Sequence, residues 1–286
     1  HIAAGLVLFG VIRRTLRIVG WGAEGIYPAA VGALLWLVHP IQTESVTYVI
    51  QRYESLSGLL YLLTLYCFIR GALSSRPRGW LIASCICSAV GMAAKESVAT
   101  VPVMVLIYDR IFLSGSFRRA FCSRCRFYSA LFATWIILLF MVASKPYSEW
   151  GGFAFKEIGP WEYGLSQPAV ITHYLRLVFW PHSLCLDYGW EPGASAPGIA
   201  VVAGIGILTA AALWKRPRFG FLGLWFLLTL APTSSVIPIA DLAFEHRMYL
   251  PLAALTSGSA IGIFLLLHRL LPDSGALRRI IGFFCL

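Results

Sequence analysis

Residues 80–108, WLIASCICSAVGMAAKESVATVPVMVLIY, form one long apolar run broken only by Lys95, Glu96 and Ser97. As a single tilted helix the run crosses a bilayer once; as a hairpin with Lys95 and Glu96 at its tip it crosses twice. The choice sets the sidedness of everything downstream, because Arg110, Arg118, Arg119, Arg124 and Arg126 come next. A hairpin puts these arginines on the same side as the other basic gaps: Arg13, Arg14 and Arg17; Arg70, Arg76 and Arg78; Lys215, Arg216 and Arg218; Arg269, Arg278 and Arg279. A multi-pass chain keeps its short basic loops cytoplasmic, so the hairpin is the expected reading.

The remaining gaps have mixed charge. Arg52, Lys95, Lys145, Lys156, Arg176 and Arg247 share them with Glu44, Glu54, Glu96, Glu149, Glu157, Glu162, Asp187, Glu191, Asp241 and Glu245. Between the gaps, apolar segments at 22–40, 54–70, 79–94, 97–113, 127–143, 197–214, 218–232 and 248–267 read as spans, some short for a bilayer. Residues 1–12 and 279–286 read as partial spans of a longer protein. With 58% apolar and 13% charged residues and a mean hydropathy of +0.75, a soluble domain is excluded. The net charge of +10 is accounted for by the cytoplasmic bias and calls for no nucleic acid. The fold class expected is an all-α polytopic membrane bundle, one domain over 1–286, of about eight full spans, two partial ones and an interfacial helix. The partner implied is the lipid bilayer. No cleavable signal peptide pattern is present.

Seven cysteines lie mostly within spans, and only Cys185 falls in a non-cytoplasmic gap, so no disulfide framework is implied. Cys122 and Cys125 make a CxxC with no second ligand pair nearby; no metal and no certain cofactor follow from it.

Four patches on the mixed-charge side hold the candidate chemistry. His39 to Glu44 runs on to Arg52, Tyr53 and Glu54; one helix over 41–54 would put Glu44, Tyr48, Gln51 and Arg52 on one face, with Glu44 and Arg52 about 12 Å apart. That face is either a solvated rim or a functional stripe near the hydrocarbon. Lys95, Glu96 and Ser97 precede a helix for which Ser97 or Thr100 is a plausible N-cap; the lysine is either an anion site or a snorkelling anchor. The long gap 144–196 opens with Tyr147, Trp150, Phe153, Phe155, Trp161 and Tyr163, an interfacial belt or a sugar platform. An amphipathic helix over 168–181 follows, with Val170, Tyr174, Leu177 and Val178 on its apolar face, and then Asp187. The fourth patch is Asp241 to Pro251, DLAFEHRMYLP, where Glu245, His246 and Arg247 sit together at the start of the last full span.

The strings HPIQTESVTYVIQRYESLSGLLYLLTLY (39–66), AAKESVATVPVMVLIYD (93–109), YLRLVFWPHSLCLDYGW (174–190) and APTSSVIPIADLAFEHRMYLP (231–251) resemble, in this order, the membrane part of the transmembrane and tetratricopeptide-repeat O-mannosyltransferase family and its bacterial relatives. That family belongs to the GT-C superfamily. The resemblance implies a GT-C-like inverting glycosyltransferase, in the bacterial inner membrane or the endoplasmic reticulum. Such an enzyme takes a sugar from a polyprenyl-phosphate donor, such as dolichyl-phosphate-mannose, and passes it to a protein or glycan acceptor on the non-cytoplasmic face. In the family a catalytic acid stands in a loop after the first span, and this chain reads as beginning near the second, without that loop or the repeats. The catalytic base is therefore unassigned.

A lipid phosphate gains charge as it leaves, so cations at the membrane surface should stabilise its departure. Arg52, Lys95, His246 and Arg247 are the candidate donor-phosphate ligands, with His39, Glu44, Glu54, Glu96, Asp187 and Glu245 orienting them or binding sugar hydroxyls. If one phosphate is held, the charged ends of Glu44, Arg52, Lys95 and Arg247 should converge within about 10 to 15 Å on one cavity, with 168–181 beside it. The rival readings are a transporter, against which the nearly uncharged span interiors argue, and a non-catalytic membrane scaffold.

Overall fold

The computed structural model describes residues 1–144, 158–239 and 241–270. Every regular element among these residues is a helix, with no β-strand, as the hydropathy pattern implied. Residues 279–286, with Arg278 and Arg279, and the aromatics Tyr147, Trp150, Phe153 and Phe155 lie outside the described residues.

The first helix, α1 (Ile2–Ile18), corrects the reading of 1–12 as a partial span ending in a basic gap. It continues through Arg13, Arg14 and Arg17 because the arginines avoid its packed face. Ala4, Leu8, Val11, Ile12 and Leu16 are buried, against α2 (Ile26–Val38) and the later α4. The Arg14 guanidinium instead lies 4.6 Å from the Tyr66 ring centroid, a cation–π contact that keeps the charge off the apolar face.

The proposed helix over 41–54 is not formed. A 3₁₀ turn at Pro40–Gln42 leads into the short α3 (Thr43–Thr47), Tyr48 is extended, and a second 3₁₀ turn precedes α4 (Arg52–Leu73). Val46, Thr47, Val49 and Ile50 are β-branched and weaken helix continuation. The break divides the supposed stripe: Glu44 and Gln51 are buried, whereas Tyr48 and Arg52 are exposed. Ser55 donates to the Ser45 carbonyl at 2.6 Å, folding α3 back onto the start of α4.

The run at 80–108 breaks where the charges stand. α5 (Pro77–Ala94) ends at Lys95, which is extended (φ −158°, ψ 144°); a 3₁₀ turn at Glu96–Thr100 leads into α6 (Val101–Tyr108). Pro102 stands in the first turn of α6, where its missing N–H costs nothing, and keeps α5 and α6 from joining as one helix through residue 98. Thr100 takes the N-cap position without a side-chain bond to the backbone; its hydroxyl pairs with Tyr61 instead. α5 and α6 both pack on α4 and on the later helix Cys125–Ala133. A π-helical turn, Asp109–Ser114, follows α6. There the buried Asp109 accepts from Tyr128 at 2.6 Å, Ser114 at 2.6 Å and Arg124 at 2.9 Å. Arg124 thus does more than mark the basic rim.

The chain continues through α7 (Phe117–Ser123), α8 (Cys125–Ala133) and α9 (Trp135–Ala143), then α10 (Pro160–Phe179), α11 (Ala196–Lys215), α12 (Pro217–Leu230) and α13 (Leu252–Leu270). Six helical segments among the described residues are long and apolar enough to cross a membrane: Val49–Leu73, Pro77–Ala94, Glu96–Ser114, Cys125–Ala143, Ala196–Lys215 and Leu252–Leu270. The spans expected at 22–40 and 218–232 are helical but shorter, Ile26–Val38 and Pro217–Leu230. The helix expected over 168–181 begins earlier, at Pro160, and ends before Pro181. Its buried face includes Tyr163, Gln167, Val170, Tyr174 and Leu177. α10 approaches α11 so closely that a Cβ on Gly198 would lie 2.8 Å from the Pro168 backbone, which only glycine avoids.

Candidate functional site

The segment Asp241 to Leu250 leaves solvent almost at once. Asp241 is exposed, but Leu242, Ala243, Glu245, His246, Arg247, Met248 and Tyr249 are buried, with a 3₁₀ turn at Glu245–Met248 seated on α3 and on the Pro40–Gln42 turn. Two indole N–H groups hold its end: Trp36 donates to the Tyr249 carbonyl at 2.8 Å and Trp225 to that of Leu250 at 2.9 Å. α4 leaves room for the Tyr249 ring only because residue 58 is glycine, where a Cβ would stand 2.4 Å from it.

Within this frame each buried charge is met by protein. Glu44 accepts from the His246 amide at 2.8 Å and from His246 Nδ1 at 2.6 Å, which assigns the Nδ1 proton to the side facing the carboxylate. Glu245 accepts from the Cys185 amide at 2.8 Å and the Tyr188 hydroxyl at 2.5 Å, which ties the 182–190 loop to the cluster. Arg247 is wholly turned inward: Nη1 donates to Tyr163 Oη at 3.0 Å and to the carbonyls of Leu242 (2.8 Å) and Thr233 (3.2 Å), and Nη2 to that of Asp241 (2.7 Å). Lys95 and Glu54, both buried, form a salt bridge, with the ammonium 4.6 Å from the Tyr53 ring centroid.

The other predicted residues are peripheral. His39 Nε2 donates to the Val178 carbonyl at 2.9 Å while Nδ1 accepts from the Ile41 amide, so the ring pins the Pro40–Gln42 turn to the end of α10. Arg52 is exposed at the start of α4, and Glu96 is half-buried. Asp187 is exposed and accepts from the Gly189 amide at 2.9 Å, closing a turn in which Gly189 takes a positive φ of 54°. Asp241, absent from the sequence-based set of site residues, is exposed as well. Burial and then the Asp187 charge raise the Asp241 carboxyl above its ordinary value, with Arg247 opposing.

Three patches therefore meet, through Glu44, the 185–188 loop and Asp241–Arg247; Lys95 belongs to a separate pair with Glu54. Three tyrosines close the cluster: Tyr163, read from the sequence as part of an interfacial belt or a sugar platform, Tyr174, read as part of the apolar face of the 168–181 helix, and Tyr188, next to Asp187. The expected cation-lined cavity is not formed there. Lys95 and Arg247 are consumed by internal partners, and beside Lys95 lies only a depression of about 20 Å³. A half-open, mostly apolar cavity of about 220 Å³ instead lies near Arg218, at the basic end. No group of three or more metal-ligating side chains occurs among the described residues.

Over 87 residues, 29% of its length, the chain is 32% identical to Protein O-mannosyl-transferase TMTC2 of Homo sapiens, and 31% identical over 87 residues to the protein of that name from Mus musculus. The matched stretch is similar to a protein O-mannosyltransferase. It spans about a tenth, 10%, of the length of each of these relatives. No family model matches the chain, and no solved structure matches it.

Burial pushes the Glu245 carboxyl above its ordinary value; Tyr188 and the Cys185 amide pull it part of the way back, and the Glu44 charge adds to the rise. A raised folded pKa gives a stability contribution that is complete below the unfolded value of about 4.3 and is lost as pH climbs through the folded one. Glu245→Gln retains an oxygen acceptor and does not ionise. Its thermal stability relative to the unaltered protein, read in detergent between about pH 5 and about pH 8, should improve steadily with pH. A constant difference across that range would mean that Glu245 does not titrate there.

Proposed function

We propose that the chain is part of a membrane glycosyltransferase that moves a sugar from a polyprenyl-phosphate donor to a protein or glycan acceptor on the non-cytoplasmic face. The observation that carries the reading is the 87-residue similarity to a protein O-mannosyltransferase in a chain with six helices apolar enough to cross a membrane among its described residues, in which Glu44, the 185–188 loop and the Asp241–Arg247 segment meet. The chemistry fits that arrangement. As the acceptor oxygen bonds to the anomeric carbon, the bond from that carbon to the lipid-phosphate oxygen breaks, and negative charge grows on the phosphate. Arg52, exposed at the N-terminus of the long α4, combines a guanidinium with a helix end that favours anions. Asp187 and Asp241, both exposed, offer carboxylates to sugar hydroxyls. Glu44 with His246, and Arg247 with its carbonyls, hold the floor beneath them.

The test is transfer from a radiolabelled polyprenyl-phosphate mannose to an acceptor peptide, in membranes containing the full-length protein. Arg52→Gln should lower kcat/KM about a hundredfold, the scale of losing one transition-state donor. Asp187→Asn with Asp241→Asn should raise KM for the sugar donor. Unchanged transfer in both variants, at normal protein levels, would place the reaction elsewhere.

A further inference from the structure

The cavity at the basic end has a shape and a charge that the transfer chemistry does not use. It lies between α1, α6, α12 and α13, and its α1 wall runs from Leu8 to Val19, a helical rise of about 16 Å. That is close to one leaflet, half of a hydrocarbon core about 30 Å thick. Trp225 and Ala253 line its deep end, and its inner hydroxyls, Thr15 and Tyr108, are bonded to each other at 2.7 Å, so the interior asks for an apolar guest. Its mouth is different. Arg218 lines it from the start of α12 and is exposed, and Trp21 lines it from the turn after α1.

We infer that this groove binds an anionic glycerophospholipid of the basic-face leaflet, with one acyl chain between α1 and α12 and the phosphate on Arg218. The depth selects a leaflet lipid, because a membrane-spanning partner would need a groove twice as long. The charge selects the anionic headgroup: Lys215, Arg216 and Arg218 cluster at the α11–α12 turn, and each basic residue near a surface attracts an anionic lipid. An apolar groove left empty forfeits the dispersion contacts of its walls, which an acyl chain restores.

The experiment uses the full-length protein in detergent with phosphatidylglycerol carrying a photoactivatable diazirine midway along one acyl chain, and the same chain on phosphatidylcholine as the neutral arm. After irradiation, labelled peptides are mapped. The anionic probe should label groove segments around Leu8, Phe221 and Ser257 about fivefold more than the neutral one. Arg218→Gln should abolish that preference, whereas Arg216→Gln, off the groove, should keep it. Arg218 is exposed, so its replacement leaves the packing intact. Ala254→Leu, which fills the deep end, should reduce labelling by both probes. Equal labelling by the two lipids, a preference surviving Arg218→Gln, or labelling confined to outward residues such as Ile207 and Leu208 would overturn the assignment. Stronger displacement by polyprenyl phosphate than by unlabelled phosphatidylglycerol would also overturn it, by giving the groove to the sugar carrier.

Discussion

Arg247→Ala should destabilise the fold by about 4 kcal/mol, the size of effect seen when one partner is removed from a buried charged network. The guanidinium is the common donor to the carbonyls of Thr233, Asp241 and Leu242 and to the Tyr163 hydroxyl, so it ties α10, the 231–239 turn and the Asp241–Leu250 segment together. Removing it leaves several buried acceptors without a partner, each costing about 1 to 3 kcal/mol before relaxation. Arg247→Lys should recover less than half of the loss, because an ammonium is a point charge that does not reach acceptors arranged around a planar fork. Denaturant unfolding in micelles, followed by tryptophan fluorescence, gives the number. A normally stable Arg247→Ala protein that fails only in sugar transfer would instead return the guanidinium to the donor site.

Lys95→Met should cost about 3 to 5 kcal/mol, since it abandons Glu54 as an unpaired charge at the end of an apolar bundle. Glu54→Leu should cost a similar amount for the mirror reason. The double variant should lie near the unaltered protein, because a well-packed apolar pair escapes the desolvation that both charges suffer. The strong coupling of such a double-mutant cycle is the readout; additive losses would show that the two groups do not depend on each other.

Reading Lys95 as a phosphate ligand was reasonable from its place at a helix break, and the break itself is there. What the local pattern does not contain is Glu54, 41 residues away and brought under the ammonium by the α4–α5 packing. Arg247 follows the same logic. Its neighbours in sequence, Glu245 and His246, bond elsewhere, and its own partners are mostly backbone carbonyls, which carry no side-chain signature. Asp241 and Asp187 are both visible as acids, but the chain separates them by two helices, α11 and α12, so that the charge of one acts on the other only in the folded chain.

By itself the sequence determined the all-helical class, the apolar segments, the break at Lys95 and the gathering of mixed charge into a few gaps. Those features are local: a helix long enough for a bilayer must be apolar along its whole length, and a proline after a charged gap stops a helix wherever the segment packs. Tertiary structure alone decided that α1 carries its arginines through a packed helix, that 41–54 divides at Tyr48, and that Glu44 meets His246 across 202 residues of chain. It also placed the apolar groove at the basic end. Those outcomes depend on which helix faces approach one another, and a buried charge takes whatever partner that approach supplies, because leaving it unpaired costs more than any local preference.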